Sequence, residues 1–382
     1  MAASGTFYEE KRLGVLDGLR GVAVLLVLWY HVWEISWLPA PLPWLQFLPE
    51  TGFVGVTLFF FLSGFVISYP FVRAAVTNRA QPSWGHFAWR RFTKIVPSYV
   101  LSIVVAYALG YAQKQPDAST LPDLGSHLLF VHTWFPDRYG TINGVLWTLA
   151  VEVEFYCLFP LIWWCFKRTP WLTVATMSAM ALVWRLFFAH CCYDSLFPTY
   201  EENLPGYFDI FAAGMISAYV FVRFGEPLRL RLRIFGPALA IAGAAALVAL
   251  LQSLFAFRFA DQWAGVWQID KRPLLGAAFA LIALASLVSP RWWQVVLDNP
   301  PLRFLAVISY NLYLYHQLLA RELLAWRVPP YIGDPHYDPG WQVRYTEIAF
   351  AVTIAQAAAV TYLFERPILR LEPPRSRARA VP

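Results

Sequence analysis

The sequence predicts an all-α, polytopic integral membrane protein, built as a bundle of about ten transmembrane helices. Two observations lead to this fold class. Of the 382 residues, 58% are hydrophobic and only 14% are charged, whereas about 25% of the residues of a typical soluble domain are charged. Apolar runs of roughly 18 to 25 residues, each long enough to cross a bilayer, also recur about ten times along the chain.

These runs predict the positions of the individual spans. The first run is too long for the apolar core of a cleavable signal peptide and lacks a small-residue cleavage pattern, so we expect it to stay in the protein. The four cysteines match neither a metal site nor a disulfide framework, and the net charge of +6 reflects topology rather than nucleic-acid binding. We place the spans near 14–37, 52–72, 95–112, 145–166, 171–190, 206–223, 234–257, 273–289, 303–326 and 345–364.

The basic residues predict how the chain is oriented. If the N-terminus is cytoplasmic, 21 of the 30 Lys and Arg residues fall on the cytoplasmic side, as the positive-inside rule requires. We therefore predict cytoplasmic N- and C-termini in a multi-pass protein of the inner (cytoplasmic) membrane. We expect one transmembrane domain over 1–372 and a disordered, Pro- and Arg-rich cytoplasmic tail over 373–382 that lies against membrane lipids.

The first span carries two polar side chains that a bilayer disfavours, Arg20 near its cytoplasmic end and His31 deep inside. A helical rise of 1.5 Å per residue separates them by roughly 16 Å and returns them to nearly the same face. Because histidine titrates near neutral pH, His31 is a candidate proton acceptor for a hydroxyl group. The alternative is a structural hydrogen bond to a neighbouring helix.

A basic cluster of Arg90, Arg91 and Lys94 precedes the third span. Two interpretations of these charges are open. In the first, they only set the topology of the helix. In the second, they form, together with Arg20, a cradle for the phosphates of a nucleotide-bearing donor.

The second, fourth and ninth spans hold further polar groups at membrane depth. In the second, Ser63 is followed by glycine, which is typical of close helix packing or a kink; no G-x-S-x-G context supports a nucleophilic serine. In the fourth, Glu152 is expected to face a cavity near His31, or else to form an ion pair that serves packing alone. The polar residues of the ninth span are Ser309, Tyr310, Asn311, Tyr313, Tyr315 and His316.

Six stretches taken together resemble the integral-membrane acyltransferase-3 family. They occur in order along nearly the whole chain: LDGLRGVAVLLVLWYH, GVTLFFFLSGFVIS, RRFTKIVP, WTLAVEVEFYCLFPL, ISYNLYLYH and FERP. The resemblance implies a bundle of about ten helices that moves an acyl group, commonly acetyl, from acyl-coenzyme A (acyl-CoA) to a hydroxyl group, with no metal.

Two of the family's motifs fall on the residues already singled out. Its Arg-(ten residues)-His motif falls on Arg20 and His31. Its Arg-x-x-Arg motif falls on Arg91 and Lys94, where lysine keeps the charge but loses the bidentate fork of arginine.

A third family motif, tryptophan to glutamate, falls on Trp147 and Glu152. In the mechanism that follows, His31 takes the hydroxyl proton and Glu152 orients or charge-stabilises its imidazole, as the third group of a triad does. A covalent acyl-histidine intermediate is a variant of it. The candidates for substrate contact or oxyanion stabilisation are Trp147, Ser63, Ser309, Tyr310, Tyr313 and His316.

The predicted partners are acyl-CoA as donor, with acetyl-CoA preferred, and a hydroxylated glycan, glycolipid or macrolide as acceptor. The oligomeric state is left open. The rival hypothesis is a proton-coupled transporter or flippase of a glycan or small molecule, in which buried His and Glu side chains form a proton relay. No inverted repeat supports it, and the basic cluster lies on one face only. A scaffold without catalysis is a weaker rival.

Overall fold

The computed structural model of the protein describes residues 13–110, 120–192, 197–260 and 264–371. Within these ranges the chain is helical, and no β-strand occurs in them. The predicted tail over 373–382 lies outside the described residues.

Ten long helices, numbered here in chain order, form the described part of the chain. They are α1 (Gly14–Ser36), α2 (Val54–Val76), α3 (Trp84–Ala108), α4 (Trp147–Phe166), α5 (Pro170–Cys191), α6 (Phe208–Leu232), α7 (Gly236–Phe259), α8 (Ala264–Val288), α9 (Pro300–Ala325) and α10 (Pro339–Val360). The shorter helical segments are Pro43–Leu45, Phe47–Thr51, Thr120–Leu128, His132–Trp134, Phe197–Tyr200, Leu204–Tyr207, Arg291–Leu297, Pro335–Tyr337, Thr361–Glu365 and Arg366–Leu369.

Eight helices of the described ranges are long and apolar enough to cross a membrane: α1, α2, α4, α5, α6, α7, α8 and α10. The chain is therefore a multi-pass membrane protein. Helices α3 and α9 have 25 and 26 residues but carry many of the polar side chains described below. The predicted total of about ten spans, with both termini cytoplasmic, stays a prediction.

One predicted helix end is wrong, since α6 continues to Leu232 rather than ending near residue 223. Two predicted helix starts are also wrong. Helix α3 begins at Trp84 rather than near residue 95, and α8 begins at Ala264 rather than near residue 273. In both cases the apolar run starts later than the helix, because the first turns are amphipathic and carry charges. As a consequence, the basic cluster Arg90, Arg91 and Lys94 lies on α3 itself and not in the loop before it.

Helix α1 lies at the centre of the bundle, where it packs against α2, α9 and α10. Helix α2 in turn packs along α6 through glycine. A Cβ atom at Gly64 would lie 2.2 Å from the carbonyl oxygen of Phe211, and one at Gly214 would lie 2.1 Å from that of Phe61. The two backbones can approach this closely only because both positions lack a side chain. The packing interpretation of the Ser63–Gly64 pair is thus confirmed for the glycine.

The segment before α4 enters the bundle from the end opposite to Gly14. Asn143 Nδ2 donates a hydrogen bond of 2.9 Å to the carbonyl oxygen of Leu314, in the middle of α9. The Tyr99 hydroxyl of α3 donates one of 2.9 Å to the carbonyl oxygen of His127. Helix α4 therefore begins near the middle of the bundle. As a result, Glu152 lies deeper in the bundle than its distance along the sequence from the outer loop predicts.

The close approach of α2 and α6 generates a first prediction. We expect Gly64→Val to destabilise the protein by about 1–3 kcal/mol or more, because the added side chain meets backbone that must move. The control is Gly85→Ala in α3, where the nearest atom to an added Cβ is Ser83 Oγ at 3.8 Å. Thermal unfolding of the detergent-purified variants, followed by tryptophan fluorescence, measures the difference. Equal melting temperatures for Gly64→Val and Gly85→Ala contradict the packing assignment.

Candidate active site

A cavity of about 510 Å³ opens at the end of the bundle where Gly14 and Leu371 lie. Its volume is within the range of small-molecule binding sites. Helices α1, α2, α3, α4 and α9 and the segment after Glu365 all contribute to its walls. Nine of the twelve predicted site residues line it: Arg20, Ser63, Arg90, Arg91, Lys94, Glu152, Ser309, Tyr310 and Tyr313.

The mouth of the cavity is basic and partly aromatic. Arg90, His86 and Trp89 of α3 face Arg370 across it, and the Trp89 indole N–H donates to the carbonyl oxygen of Leu371 at 3.4 Å. Farther in, the Arg91 guanidinium lies 5.7 Å from the ring centroid of Tyr156. Its Nε is buried without a hydrogen-bond partner. An unpartnered buried donor is unusual and leaves Arg91 able to bind an anionic group in the cavity.

Lys94 differs from the arginines because its charge is already paired. Its ammonium group forms an ion pair with Glu365, which is only 3% exposed. Asn311 Nδ2 of α9 donates a further hydrogen bond of 2.6 Å to the same carboxylate. This three-residue contact ties α3 and α9 to the segment after α10, so Lys94 has a structural partner in addition to its place on the cavity wall.

Arg20 lies on the wall formed by α1 and is held there from α9. Its Nε donates a hydrogen bond of 2.9 Å to Ser309 Oγ, and the Ser309 hydroxyl donates in turn to the carbonyl oxygen of Ala306 at 2.9 Å. The guanidinium also lies 5.8 Å from the ring centroid of Phe59. The Tyr310 hydroxyl donates to the carbonyl oxygen of Ile95 at 2.7 Å. The hydroxyl protons of Ser309 and Tyr310 are therefore bound to backbone oxygens and are not directed at a ligand.

At the deep end of the cavity, Glu152 accepts two hydrogen bonds from hydroxyl groups. Ser63 Oγ donates to Glu152 Oε1 at 2.5 Å, and the Tyr156 hydroxyl donates to the same oxygen. The predicted contact between Glu152 and His31 is wrong, since no hydrogen bond joins them in the described part of the chain. Helices α2 and α4, and not α1, supply the partners of this carboxylate.

His31 is instead paired with His316. The two ring nitrogens His31 Nδ1 and His316 Nε2 are 2.9 Å apart, and the ring centroids are 4.7 Å apart. Neither ring is among the residues that line the cavity. Tyr313 lines the cavity and its ring centroid lies 5.7 Å from that of His316. Tyr313 therefore stands between the cavity and the histidine pair.

Trp147 is not among the residues that line the cavity, but it lies beside them at the start of α4. Thr148 and Leu149 line the cavity, and the Trp147 ring centroid is 6.2 Å from that of Phe60, another lining residue. The Trp147 ring is stacked against Tyr139 and Tyr207, with centroid distances of 6.2 Å and 6.1 Å. The guanidinium of the fully buried Arg272 lies 3.9 Å from the Tyr207 centroid. Tyr207 is only 2% exposed, so of the three rings only Tyr139 and Trp147, which are partly exposed, can contact the apolar face of a sugar ring.

Several residues of the cavity were not predicted from the sequence. Tyr156 lies one helical turn after Glu152, and this i+4 spacing could have identified it as a neighbour of the carboxylate. Arg370 and His86 carried no signal, because a basic residue beside a span is expected from topology alone. In the described ranges, no group of three or more His, Cys, Asp or Glu side chains is placed to hold a metal ion.

The ion pair of Lys94 and Glu365 gives a second prediction. Lys94→Met leaves the buried carboxylate without its cation, and we expect a loss of about 1–3 kcal/mol, less than the cost of breaking a fully buried pair because Lys94 is partly exposed. Glu365→Gln in the same chain removes the uncompensated charge and restores part of the stability. Arg79→Met, an exposed basic residue at the same end, is the control for charge removal. The free energies of unfolding of Lys94→Met, of the double variant Lys94→Met/Glu365→Gln and of Arg79→Met measure this coupling. A double variant that is no more stable than Lys94→Met contradicts it.

Comparison with known proteins identifies the family. The acyltransferase-3 model, whose description is "Acyltransferase domain", matches residues 13–354. The peptidoglycan O-acetyltransferase OatA of Listeria monocytogenes is 28% identical over 166 residues, which are 41% of this chain and 25% of that protein. The acyltransferase MdmB of Streptomyces mycarofaciens is 29% identical over 206 residues, 51% of this chain and 50% of that protein.

A putative O-acetyltransferase of Staphylococcus aureus is 22% identical over 338 residues, 81% of this chain and 51% of that protein. The chain thus spans about half or less of the length of these relatives. No solved structure matches it. Because the family model covers most of the chain and includes α1 to α9, the chain belongs to the acyltransferase-3 family.

Proposed function

We propose that the protein is a membrane O-acyltransferase, which moves an acyl group, preferentially acetyl, from acyl-CoA to a hydroxyl group of a sugar-containing acceptor. The observation that carries this proposal is the cavity, whose basic mouth leads inward to Tyr313 and the histidine pair behind it. Membership of the acyltransferase-3 family favours group transfer over the alternative of proton-coupled transport.

The donor half of the proposal rests on the arginines of the cavity. Acyl-CoA carries several phosphate charges, and guanidinium groups bind phosphate through paired hydrogen bonds. Arg90 and Arg370 stand at the mouth, Arg91 has an unpartnered Nε, and Arg20 lies farther in. Lys94, which is paired with Glu365, contributes less to this site than the sequence predicts. The thioester arm would extend from these residues toward Glu152 and Tyr313.

The membrane orientation follows from the same charges. Acyl-CoA is a cytoplasmic metabolite, and the cavity opens at the end of the bundle that carries most of the basic loop residues. We therefore assign this end to the cytoplasm, in agreement with the positive-inside rule, and propose a location in the inner membrane.

In the proposed reaction, His31 removes the proton of the acceptor hydroxyl group, and the oxygen of that hydroxyl attacks the thioester carbonyl. The new O–C bond forms, the C–S bond breaks, and the thiol of coenzyme A leaves after taking up the proton that His31 holds. Since Glu152 does not contact His31, we assign it a different role, which is to hold the hydroxyls of Ser63 and Tyr156 at the deep end of the cavity. Tyr313, between the cavity and the histidine pair, is the candidate to stabilise the oxyanion.

The acceptor half of the proposal is supported by the partly exposed aromatic rings of Tyr139 and Trp147, which suit a sugar ring. It is also supported by the relative OatA, a peptidoglycan O-acetyltransferase whose name gives a glycan as its substrate. Surface polysaccharide, glycolipid and glycosylated secondary metabolites such as macrolides are the proposed classes.

The donor site predicts a difference between arginines at the same end of the bundle. Arg91→Ala and Arg20→Ala should each weaken the binding of tritiated acetyl-CoA to nanodisc-embedded protein by about tenfold, which corresponds to the roughly 1.5 kcal/mol of a hydrogen bond to a charged group. Arg79→Ala removes the same charge from an exposed position outside the cavity and should leave binding unchanged. If Arg79→Ala weakens binding as much as Arg91→Ala, net charge and not the cavity binds the donor.

The base assignment predicts that His31→Ala lowers transfer by about a hundredfold to ten-thousandfold and leaves acetyl-CoA binding intact. Membranes given radiolabelled acetyl-CoA report transfer, and mass spectrometry of the labelled lipids and glycans identifies the acceptor. His190→Ala, at an exposed position of α5, is the control. Undiminished transfer by folded His31→Ala protein overturns the assignment.

A further inference from the structure

The histidine pair has a hydrogen-bond pattern that determines which nitrogen of each ring carries the proton. His316 is only 1% exposed. Its Nδ1 lies 2.8 Å from the carbonyl oxygen of Tyr313 and 3.1 Å from that of Leu312. Because a carbonyl oxygen can only accept, Nδ1 of His316 must be the protonated nitrogen. In the neutral ring, Nε2 then holds a lone pair, and it points at His31.

The same reasoning applies to His31. Its Nδ1 lies 3.0 Å from the carbonyl oxygen of Val27 and 2.9 Å from Nε2 of His316. Both neighbours are acceptors, so Nδ1 of His31 donates and is shared between them. The other tautomer would set three lone pairs against one another at a partly buried site, where unpaired polar groups are costly. Nε2 of His31 is therefore left with its lone pair.

We propose that His316 is a positioning residue, which holds His31 in the tautomer whose Nε2 is free to act as the base. This inference rests on the proposed function, which makes His31 the proton acceptor, and replaces Glu152 with His316 in the orienting position. A general base must present an unprotonated nitrogen to the hydroxyl group. The third group of a Ser-His-Asp triad secures this by accepting a hydrogen bond from the other ring nitrogen.

A neutral imidazole suits this positioning role inside a membrane. A carboxylate in the same place would add a buried charge, which is expensive at this depth. When His31 takes the hydroxyl proton, its ring becomes cationic, and its Nδ1–H bond to the lone pair of His316 becomes stronger because the donor is now charged. The carbonyl dipoles of Leu312 and Tyr313, which lie behind His316, polarise that ring in the same direction.

A purely structural role for the pair is the competing explanation, and other contacts make it testable. Helices α1 and α9 are also joined by the hydrogen bond of Arg20 to Ser309 and by extensive apolar packing. The loss of one further hydrogen bond between membrane helices costs only about 0.6–2 kcal/mol, so variants at position 316 are expected to fold.

The test compares His316→Leu, which has no acceptor, with His316→Gln, whose amide oxygen can take the place of Nε2. The protein contains 7 histidines, so 15N NMR of histidine-labelled protein in nanodiscs can resolve the ring nitrogens of His31, assigned by their loss in His31→Ala. We expect the proton on Nδ1 in the wild type and in His316→Gln, and a mixture of tautomers in His316→Leu. If His31 keeps its proton on Nδ1 in His316→Leu, the proposal is overturned, because the carbonyl oxygen of Val27 is then sufficient to hold that tautomer.

Transfer assays with radiolabelled acetyl-CoA complete the test. We expect His316→Leu to lower kcat by about a hundredfold with unchanged acetyl-CoA binding, and His316→Gln to recover at least tenfold of this loss. Equal activities for the leucine and glutamine variants contradict the positioning role. If the wild type transfers no acyl group, the proposed function fails, whereas the NMR result still decides whether His316 sets the tautomer of His31.

Discussion

Polar side chains inside an apolar bundle are costly unless they form hydrogen bonds. Two hydrogen bonds between α1 and α9 satisfy the polar side chains of α1, and the arrangement of the site depends on them. Arg20 donates to Ser309 near one end, and His31 pairs with His316 farther along. On α1 the two polar residues are about 16 Å apart along the axis, whereas on α9 their partners are only about 11 Å apart. The long arginine side chain bridges the difference. These contacts hold the central helix in one register against α9, and the rest of the site is arranged around that register.

In this register, Tyr313 separates the site into two regions. On one side lies the cavity, with a basic mouth and Glu152 at its deep end. On the other side lies the histidine pair, which no wall of the described cavity includes. This division suits a reaction of two substrates, because a donor entering from the basic mouth and an acceptor from the opposite direction would meet near Tyr313.

The cations of the cavity have different roles even though the sequence presents them as one cluster. Lys94 is neutralised by the buried Glu365 and anchors the segment after α10. Arg91 has a buried nitrogen without a partner, and Arg90 is exposed at the mouth. Charge alone does not distinguish these roles. The distinction depends on whether a buried carboxylate lies within reach, because a paired charge is less available to bind phosphate than an unpaired one.

Local patterns in the sequence were sufficient to predict the helical membrane fold, the positions of most helices, and the common face of Arg20 and His31, because apolar length and helical periodicity are properties of neighbouring residues. They failed at the starts of α3 and α8 and at the end of α6, where charged turns extend a helix beyond its apolar run. The sequence also identified most of the polar residues of the cavity. Only the tertiary structure decided their partners: His316 for His31, Ser63 and Tyr156 for Glu152, and Glu365 for Lys94. All but Tyr156 belong to a different helical segment from their partner. Which of several polar groups at similar depth meet is determined by how helices turn and cross, and the sequence of any single span contains no information on that.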